Sequence, residues 1–267
     1  MSGKSQGRNR LPTESGPVQM SVSVCAEIVR RGDPDRFLAA MATSPPLRAR
    51  LFPIYAFNVE ISRAAWLVQE PTIARIRLQW WRDALREIAG AGTIGSHEVA
   101  VPLSGVLDAE SVHLLDGLID AQWGGIDRGR FETDAHLTEY LDRTAGNLTV
   151  VAARSVGITD SEDAIRAISW ASGLANLFLA IPKLSAMGYA SLPDHSPTAV
   201  RRLAARGLAH ISGASAPSQA KPVLLATWRA KGLLRMAYDR PERVMSGNLG
   251  GSEFMRRASL LRRVLME

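Results

Sequence analysis

Past residue 20 the apolar positions recur at helical spacing almost to the end of the chain. Asp33-Pro34 sets an N-cap before a proline at the first helical position and predicts a short helix through about Met41. Pro45-Pro46 breaks the chain and opens a longer segment, with Leu51, Ile54, Tyr55, Asn58, Ile61 and Ala65 near one face. Pro53, early in it, should kink or delay the helix. Pro71 opens the next helix, PTIARIRLQWWRDALREIAG, which runs to a Gly-rich stop. Leu114, Leu118 and Ile119 mark another, ending near Gly124-Gly125, and Leu137, Leu141, Leu148 and Val151 mark the one after it. Asp160, with Asp163 three residues on, resembles a capping box in which Asp replaces Glu. That helix continues through Ile165, Ile168, Leu174 and Phe178 toward Pro182. Pro197, Pro222 and Pro241 punctuate the remainder. No segment sustains the period-2 alternation of a strand. The pattern predicts an all-α, single-domain helical fold of about ten helices with no sheet.

The domain expected from this pattern spans residues 20–267. Residues 1–19 are polar, with Pro12, Pro17 and three Gly, and are expected to form a disordered tail; Met20 is an alternative start. Composition adds exclusions. With 46% apolar and 22% charged residues, the 267-residue chain is neither disordered in bulk nor collagen-like. A single cysteine, Cys25, excludes a disulfide scaffold and a Cys-based zinc cluster, and reads as a small core residue. The longest apolar run without a formal charge, Ala167 to Pro182, is 16 residues and falls short of a membrane span. The first 19 residues lack an apolar stretch of the secretory kind, so an intracellular, cytoplasmic protein is expected. The net charge of +6 is uneven: from Arg201 onward 13 basic residues face 4 acidic ones. Most of these charges read as a solvated, Arg-rich surface, and no nucleic-acid partner is expected.

Common catalytic motifs are missing. No two histidines share a helix face at i, i+4, and the chain has no phosphate loop, G-x-S-x-G or H-E-x-x-H. Two acidic pairs, Asp83/Glu87 and Asp116/Asp120, have the spacing that sets both carboxylates on one helix face, where they could hold Mg²⁺ and a diphosphate. Arg82 and Arg86 alternate with the first pair as on a solvated face; Asp116 and Asp120 frame Leu118 and Ile119 at the edge of a buried helix. Asp116 and Asp120 stay as metal candidates.

YAFNVEISRAAW (Tyr55 to Trp66), followed by RLQWWRDAL (Arg77 to Leu85), resembles the squalene/phytoene synthase family. LIDAQ (Leu118 to Gln122), YLDRTAGNL (Tyr140 to Leu148), and GLANLFLAIPKL (Gly173 to Leu184) with SLPD (Ser191 to Asp194) agree in order and spacing. The likeness covers roughly Ala26 to Pro193. It implies an isoprenoid-synthase fold with a central cavity, in which two aspartate-rich helices hold Mg²⁺ while two prenyl diphosphates are joined head to head. Ionising a diphosphate needs several hard oxygen ligands. This chain has Ser62, Arg63, Ala64, Ala65 and Trp66 at the first such motif, with Glu60 the acid nearby. The second motif's Arg-Asp step falls on Leu179-Ala180, and no acid occurs from Ala164 through Gly188. Ser62, Ala65 and Ala180 are therefore vestigial motif positions, and no cofactor is expected.

The loss of both motifs resembles a divergent branch of the family that includes mitochondrial complex I assembly factors. That resemblance implies a pseudoenzyme, an assembly or scaffold factor whose partner is a respiratory complex subunit or assembly intermediate. Tyr55, Asn58, Glu60, Arg63, Trp80, Tyr140 and Asn176 are the candidate cavity or partner residues. The alternative is an active Mg²⁺-dependent head-to-head prenyl transferase. A third reading is a prenyl- or lipid-binding module, with Leu177, Phe178 and Ile181 suited to an apolar tail. The motif helices, Tyr55 to Leu67 and Ala171 to Ile181, should be adjacent or facing, with Ala64, Ala65, Gly173 and Ala175 permitting close approach. Adjacent Trp80 and Trp81 point about 100° apart, so one should be core and the other at a cavity wall or seam. Arg75 and Arg82 share a side of their helix, where they could meet an anion or, as the favoured reading, pair with Asp83, Glu87 or Glu70. The C-terminal SEFMRRASLLRRVLME carries an apolar stripe (Phe254, Ala258, Leu261, Leu265) beside Arg256, Arg257, Arg262 and Arg263. It predicts a helix able to lie on an anionic membrane surface, which would place the protein peripherally on the inner membrane, or equally one that packs its stripe on the domain and leaves the Arg residues in water, the commoner fate.

Overall fold

The computed structural model describes residues 17–66, 70–90, 92, 95–128, 131–189, 191–251 and 260. Among them there is no strand. Helix α1 spans Pro17–Gly32 and so begins inside the segment expected to be tail. α2 (Pro34–Met41), α3 (Pro45–Trp66) and α4 (Pro71–Ala89) each start on a proline. Asp33 caps α2, its carboxylate accepting from the Arg36 backbone N–H at 3.0 Å. α3 carries Pro53 without a break. The short α5 (Ala100–Ser104) leads to α6 (Ala109–Arg128), which continues past the expected stop at Gly124-Gly125.

The expected helix through Leu137 and Val151 is interrupted. α7 (Asp134–Leu141) passes into a π-helical turn, Asp142–Gly146, and then α8 (Asn147–Ser155). Arg166 holds that turn, donating to Asp142 at 3.2 Å and to Asn147 at 3.0 Å, while Asn147 donates to the Leu114 carbonyl at 2.8 Å. α9 (Glu162–Ala186) starts one residue beyond Ser161, which has φ 60 and makes no side-chain cap. The capping box expected at Asp160 is thus not formed, because the left-handed Ser161 lies between Asp160 and the helix. α9 is long and apolar enough to cross a membrane, yet 56% of its most apolar window is buried within the protein. It is packed as a core helix against α10 (Pro197–Gly213), α12 (Ala230–Asp239) and α13 (Glu242–Ser246). The one-turn α11 (Lys221–Leu224) precedes α12.

Among the described residues, two large apolar clusters and one small one make up the core. Phe57, Ile61, Leu78, Leu118 and Val151 anchor the first, which joins α1, α3, α4, α6 and α8. Leu141, Leu174, Phe178, Leu203 and Leu234 anchor the second, around α9, α10 and α12. Glycine permits close approach at two places. A Cβ on Gly32 would collide with Val59 of α3, and one on Gly173 would come within 2.7 Å of the Ala145 Cβ. Gly173 therefore seats α9 against the π turn; the small residues of α9 do not bring it onto α3, as had been expected.

Cys25 is fully buried in the first cluster, as its sequence context suggests. Burial pushes its thiol up to about 12, and its Sγ lies 3.7 Å from the Glu98 carbonyl oxygen. Since the thiolate is the reactive form, iodoacetamide at neutral pH should label native protein at least about a hundredfold more slowly than urea-unfolded protein. Equal labelling rates, read by mass spectrometry, would contradict this packing.

Candidate functional site

Between the two clusters lies a cavity of about 570 Å³, with α3 on one side and α9 on the other. α3 presents Asn58, Val59, Ser62 and Arg63, the i, i+1, i+4, i+5 face of a helix. α9 presents Gly173, Asn176, Leu177, Ala180, Lys183 and Leu184 at the same three-to-four spacing. The two motif helices thus face each other across open space. Tyr140, Leu141, Thr144, Ala145 and Leu148 close one end, carried by α7, the π turn and α8. The Tyr140 hydroxyl donates to Gln122 Oε1 at 3.2 Å, which anchors this wall to α6.

The lining is cationic. Arg31, Arg36, Arg63 and Lys183 border the cavity, and among the described residues Asp33 is the one carboxylate in its wall. Asp33 is already matched by Arg36 at 2.7 Å. No acidic side chain of α3 or α9 enters the described lining. Mg²⁺ needs several carboxylate or carbonyl oxygens close together, and four cations repel it. The residues present do not fit the metal.

Sequence-predicted site residues divide cleanly. Asn58, Ser62, Arg63, Tyr140, Asn176 and Ala180 come together at the cavity. Tyr55 does not. It is buried behind the wall, under the Arg36 guanidinium 5.6 Å from its ring centre, and burial pushes its phenol up to about 12. Glu60 lies two residues from both Asn58 and Ser62, hence about 200° around the helix from each. It contacts Arg63 at 3.8 Å and stays outside the lining. Ala65 is buried and outside the lining, and Phe178 and Ile181 fill the second cluster, leaving Leu177 as the candidate tail contact. Trp80 is not a cavity residue. It sits on the outer face of α4, 43% exposed, beside the His97 ring at 4.5 Å, while Trp81 is the core member of the pair.

The Asp116/Asp120 pair is likewise not a metal site in waiting. Arg82 donates Nε to Asp116 Oδ1 at 2.9 Å and Nη2 to Oδ2 at 3.1 Å, and Arg143 donates to Asp120 at 2.7 Å. The Arg82 hydrogen bonds hold the Asp116 carboxyl below its usual range despite partial burial. A metal would have to displace both guanidiniums. These groups line a separate cleft of about 310 Å³, and no cluster of three or more metal-ligating side chains exists among the described residues. Arg82 thus finds its partner across the α4–α6 interface, not in Asp83, Glu87 or Glu70 of its own segment; Asp83 is taken by Arg86 and Gln79.

Arg36, Asp33, Gly32, Thr144 and Lys183 belong to the site and were not singled out from sequence. For Lys183 a signal exists: it follows Ala180 by three residues, on the face that carries Asn176 and Ala180.

A helical bundle with a central cavity walled by two long opposed helices defines the isoprenoid-synthase class of fold. The squalene/phytoene synthase profile matches residues 29–201, and the chain belongs to the squalene/phytoene synthase family. A dehydrosqualene synthase solved in complex with ligand superposes with a TM-score of 0.72 at 14% identity, over 93% of this chain and 96% of that one. Squalene synthase HpnC from Alicyclobacillus acidocaldarius superposes with a TM-score of 0.68 at 16% identity, over 87% of this chain and 97% of that one. At such identities the likeness speaks for the fold alone. Among curated proteins the chain is similar to "NADH dehydrogenase (ubiquinone) complex I, assembly factor 6" of Mus musculus, 24% identical over 196 residues, 72% of this chain. It is similar also to the Drosophila melanogaster homolog, 27% identical over 167 residues, 59% of this chain. The chain spans 59% of the mouse protein and 50% of the fly protein.

Proposed function

We propose that this protein is a non-catalytic member of its family that assists assembly of the respiratory NADH dehydrogenase complex, working on the cytoplasmic side and peripherally at the inner membrane. One observation carries the reading: the facing helices α3 and α9 set Arg63 and Lys183 into the cavity and no carboxylate. The curated relatives supply the direction of the role through their names. The active prenyl transferase reading is disfavoured, because it requires a Mg²⁺–diphosphate cluster that this lining repels. A protein partner has a candidate contact in the outer face of α4, where Ile73, Ile76 and Trp80, at i, i+3, i+7, are 40%, 64% and 43% exposed. The C-terminal amphipathic segment expected to meet a membrane lies outside the described residues. Leu260 alone is described there, packed with Ala39 and Trp228.

Deleting the gene in the native host should deplete fully assembled complex I on native gels, with wild-type protein restoring it. Ile76→Glu with Trp80→Glu should fail to restore it while leaving the purified protein's thermal midpoint close to wild type. Incubated with prenyl diphosphates and Mg²⁺, the purified protein should form no condensed hydrocarbon. Unchanged complex I in the deletion strain, or product formation, would refute the proposal.

A further inference from the structure

A separate hollow of about 400 Å³ opens where α9, α10, α11 and the start of α12 meet, and it shares no lining residue with the central cavity. Its walls are apolar: Ile168 of α9, Ile211 of α10, Leu224 of α11, and Leu225 in the 3₁₀ turn that follows. The charged residues of the described lining are two exposed lysines, Lys221 and Lys231, with no acidic side chain beside them. Lys231 sits in the first turn of α12, which has no acidic residue and no side-chain cap. That end of a helix is already positive, so a lysine there is unfavourable until an anion answers both charges.

Chain connectivity ties this hollow to the most basic stretch of the sequence. Leu225 also packs against the small cluster of Leu260, Ala39 and Trp228. Arg257, Arg262 and Arg263 lie within three residues of Leu260, a reach of at most about 11 Å along the chain. Cations thus gather around an apolar hollow at the surface. A free phosphate would answer the lysines and leave the walls against water, and an apolar peptide would leave the lysines unanswered. A bilayer with anionic headgroups meets both needs.

We propose that this hollow docks the protein on a membrane by holding an anionic phospholipid of the bilayer. Lys221 and Lys231 meet the headgroup phosphate, and the acyl region lies against Ile168, Ile211 and Leu225. Lysine suits the task, since its flexible stem follows apolar surface while the ammonium stays with the headgroup. The inference rests on the peripheral-membrane part of the proposed function, and not on the assembly role or the central cavity.

Co-sedimentation of the full-length protein with vesicles tests it, phosphatidylcholine alone against phosphatidylcholine mixed with phosphatidylglycerol. Binding to the mixed vesicles should be at least about tenfold stronger than to phosphatidylcholine, and should fall in high salt. Each lysine near an anionic surface is worth about fivefold in affinity, so Lys221→Gln with Lys231→Gln should weaken binding by about 25-fold. Arg77→Gln with Arg86→Gln, which removes the same charge from α4 outside the hollow, should change it by less than about threefold. A fluorophore on Ala216→Cys, in the wall of the hollow, should shift to the blue on mixed vesicles, and one on the exposed Ser96→Cys should not. The buried Cys25 stays unlabelled. Inorganic phosphate should not displace the protein beyond the effect of its ionic strength; complete displacement would make the hollow a site for the free ion and overturn the proposal. Binding unmoved by the double lysine variant, or a blue shift at residue 96 and none at 216, would overturn the docking site alone. No binding to mixed vesicles would overturn it together with the peripheral-membrane reading.

Discussion

Trp81→Ala should destabilise the protein by about 3–5 kcal/mol, whereas Trp80→Ala, one residue away, should cost less than about 1 kcal/mol. Trp81 is 4% exposed and meets Phe57 edge to face at 5.0 Å, joining α4 to the centre of the first cluster. Removing it opens a cavity flanked by Phe57 of α3, a fully buried side chain that cannot collapse into the gap without moving its helix. The cost therefore includes both lost transfer energy and lost packing. Trp80 is nearly half exposed, and its truncation leaves no closed void. Urea denaturation of the two variants, read by circular dichroism, measures the difference; equal midpoints would mean that α4 is rotated from the orientation described.

That contrast was legible in the sequence, since adjacent helical residues cannot share a face and only one of the pair could be buried. So was the opposition of α3 and α9, because each carries a stripe at three-to-four spacing around a family motif. The interior of that opposition was not. An i→i+5 turn leaves no mark in the string Asp142-Arg143-Thr144-Ala145-Gly146, which reads as ordinary helix. It is set by long-range partners, above all Arg166 from α9. The same holds for Arg82, whose i, i+4 surroundings offer acids of their own. Its bidentate partner, Asp116, comes from a helix brought alongside only by folding.

The cationic character of the cavity was hidden for a different reason. Motif comparison asks which carboxylates are missing, and it found Ser62 and Ala180. What replaces them comes from neighbouring positions, Arg63 and Lys183, and from the α1–α2 junction, where Arg36 enters from outside any motif. Charge at a site is a property of the assembled wall, and a vacant ligand position says nothing of it until the walls are set together.

The α1–α2 wall depends on a distant residue, which leads to the second large effect: Arg229→Ala should cost about 3–5 kcal/mol. The Arg229 guanidinium pairs with Asp35 of α2, the two side chains being 15% and 22% exposed. It also donates Nη2 to the Gly250 carbonyl at 2.9 Å, tying α2 to the segment after α13. Truncating Arg229 takes this guanidinium away from a largely buried carboxylate and removes the tie to Gly250, and both losses enter the cost. Asp35→Asn combined with Arg229→Met should be more stable than Arg229→Ala alone, since the carboxylate charge is then removed together with the guanidinium that faced it. Arg36, the neighbour of Asp35, borders the cavity, so loosening α2 should also disturb that wall. A double variant no more stable than Arg229→Ala in urea would show that the arginine acts through its contact with Gly250 and not through the buried charge of Asp35.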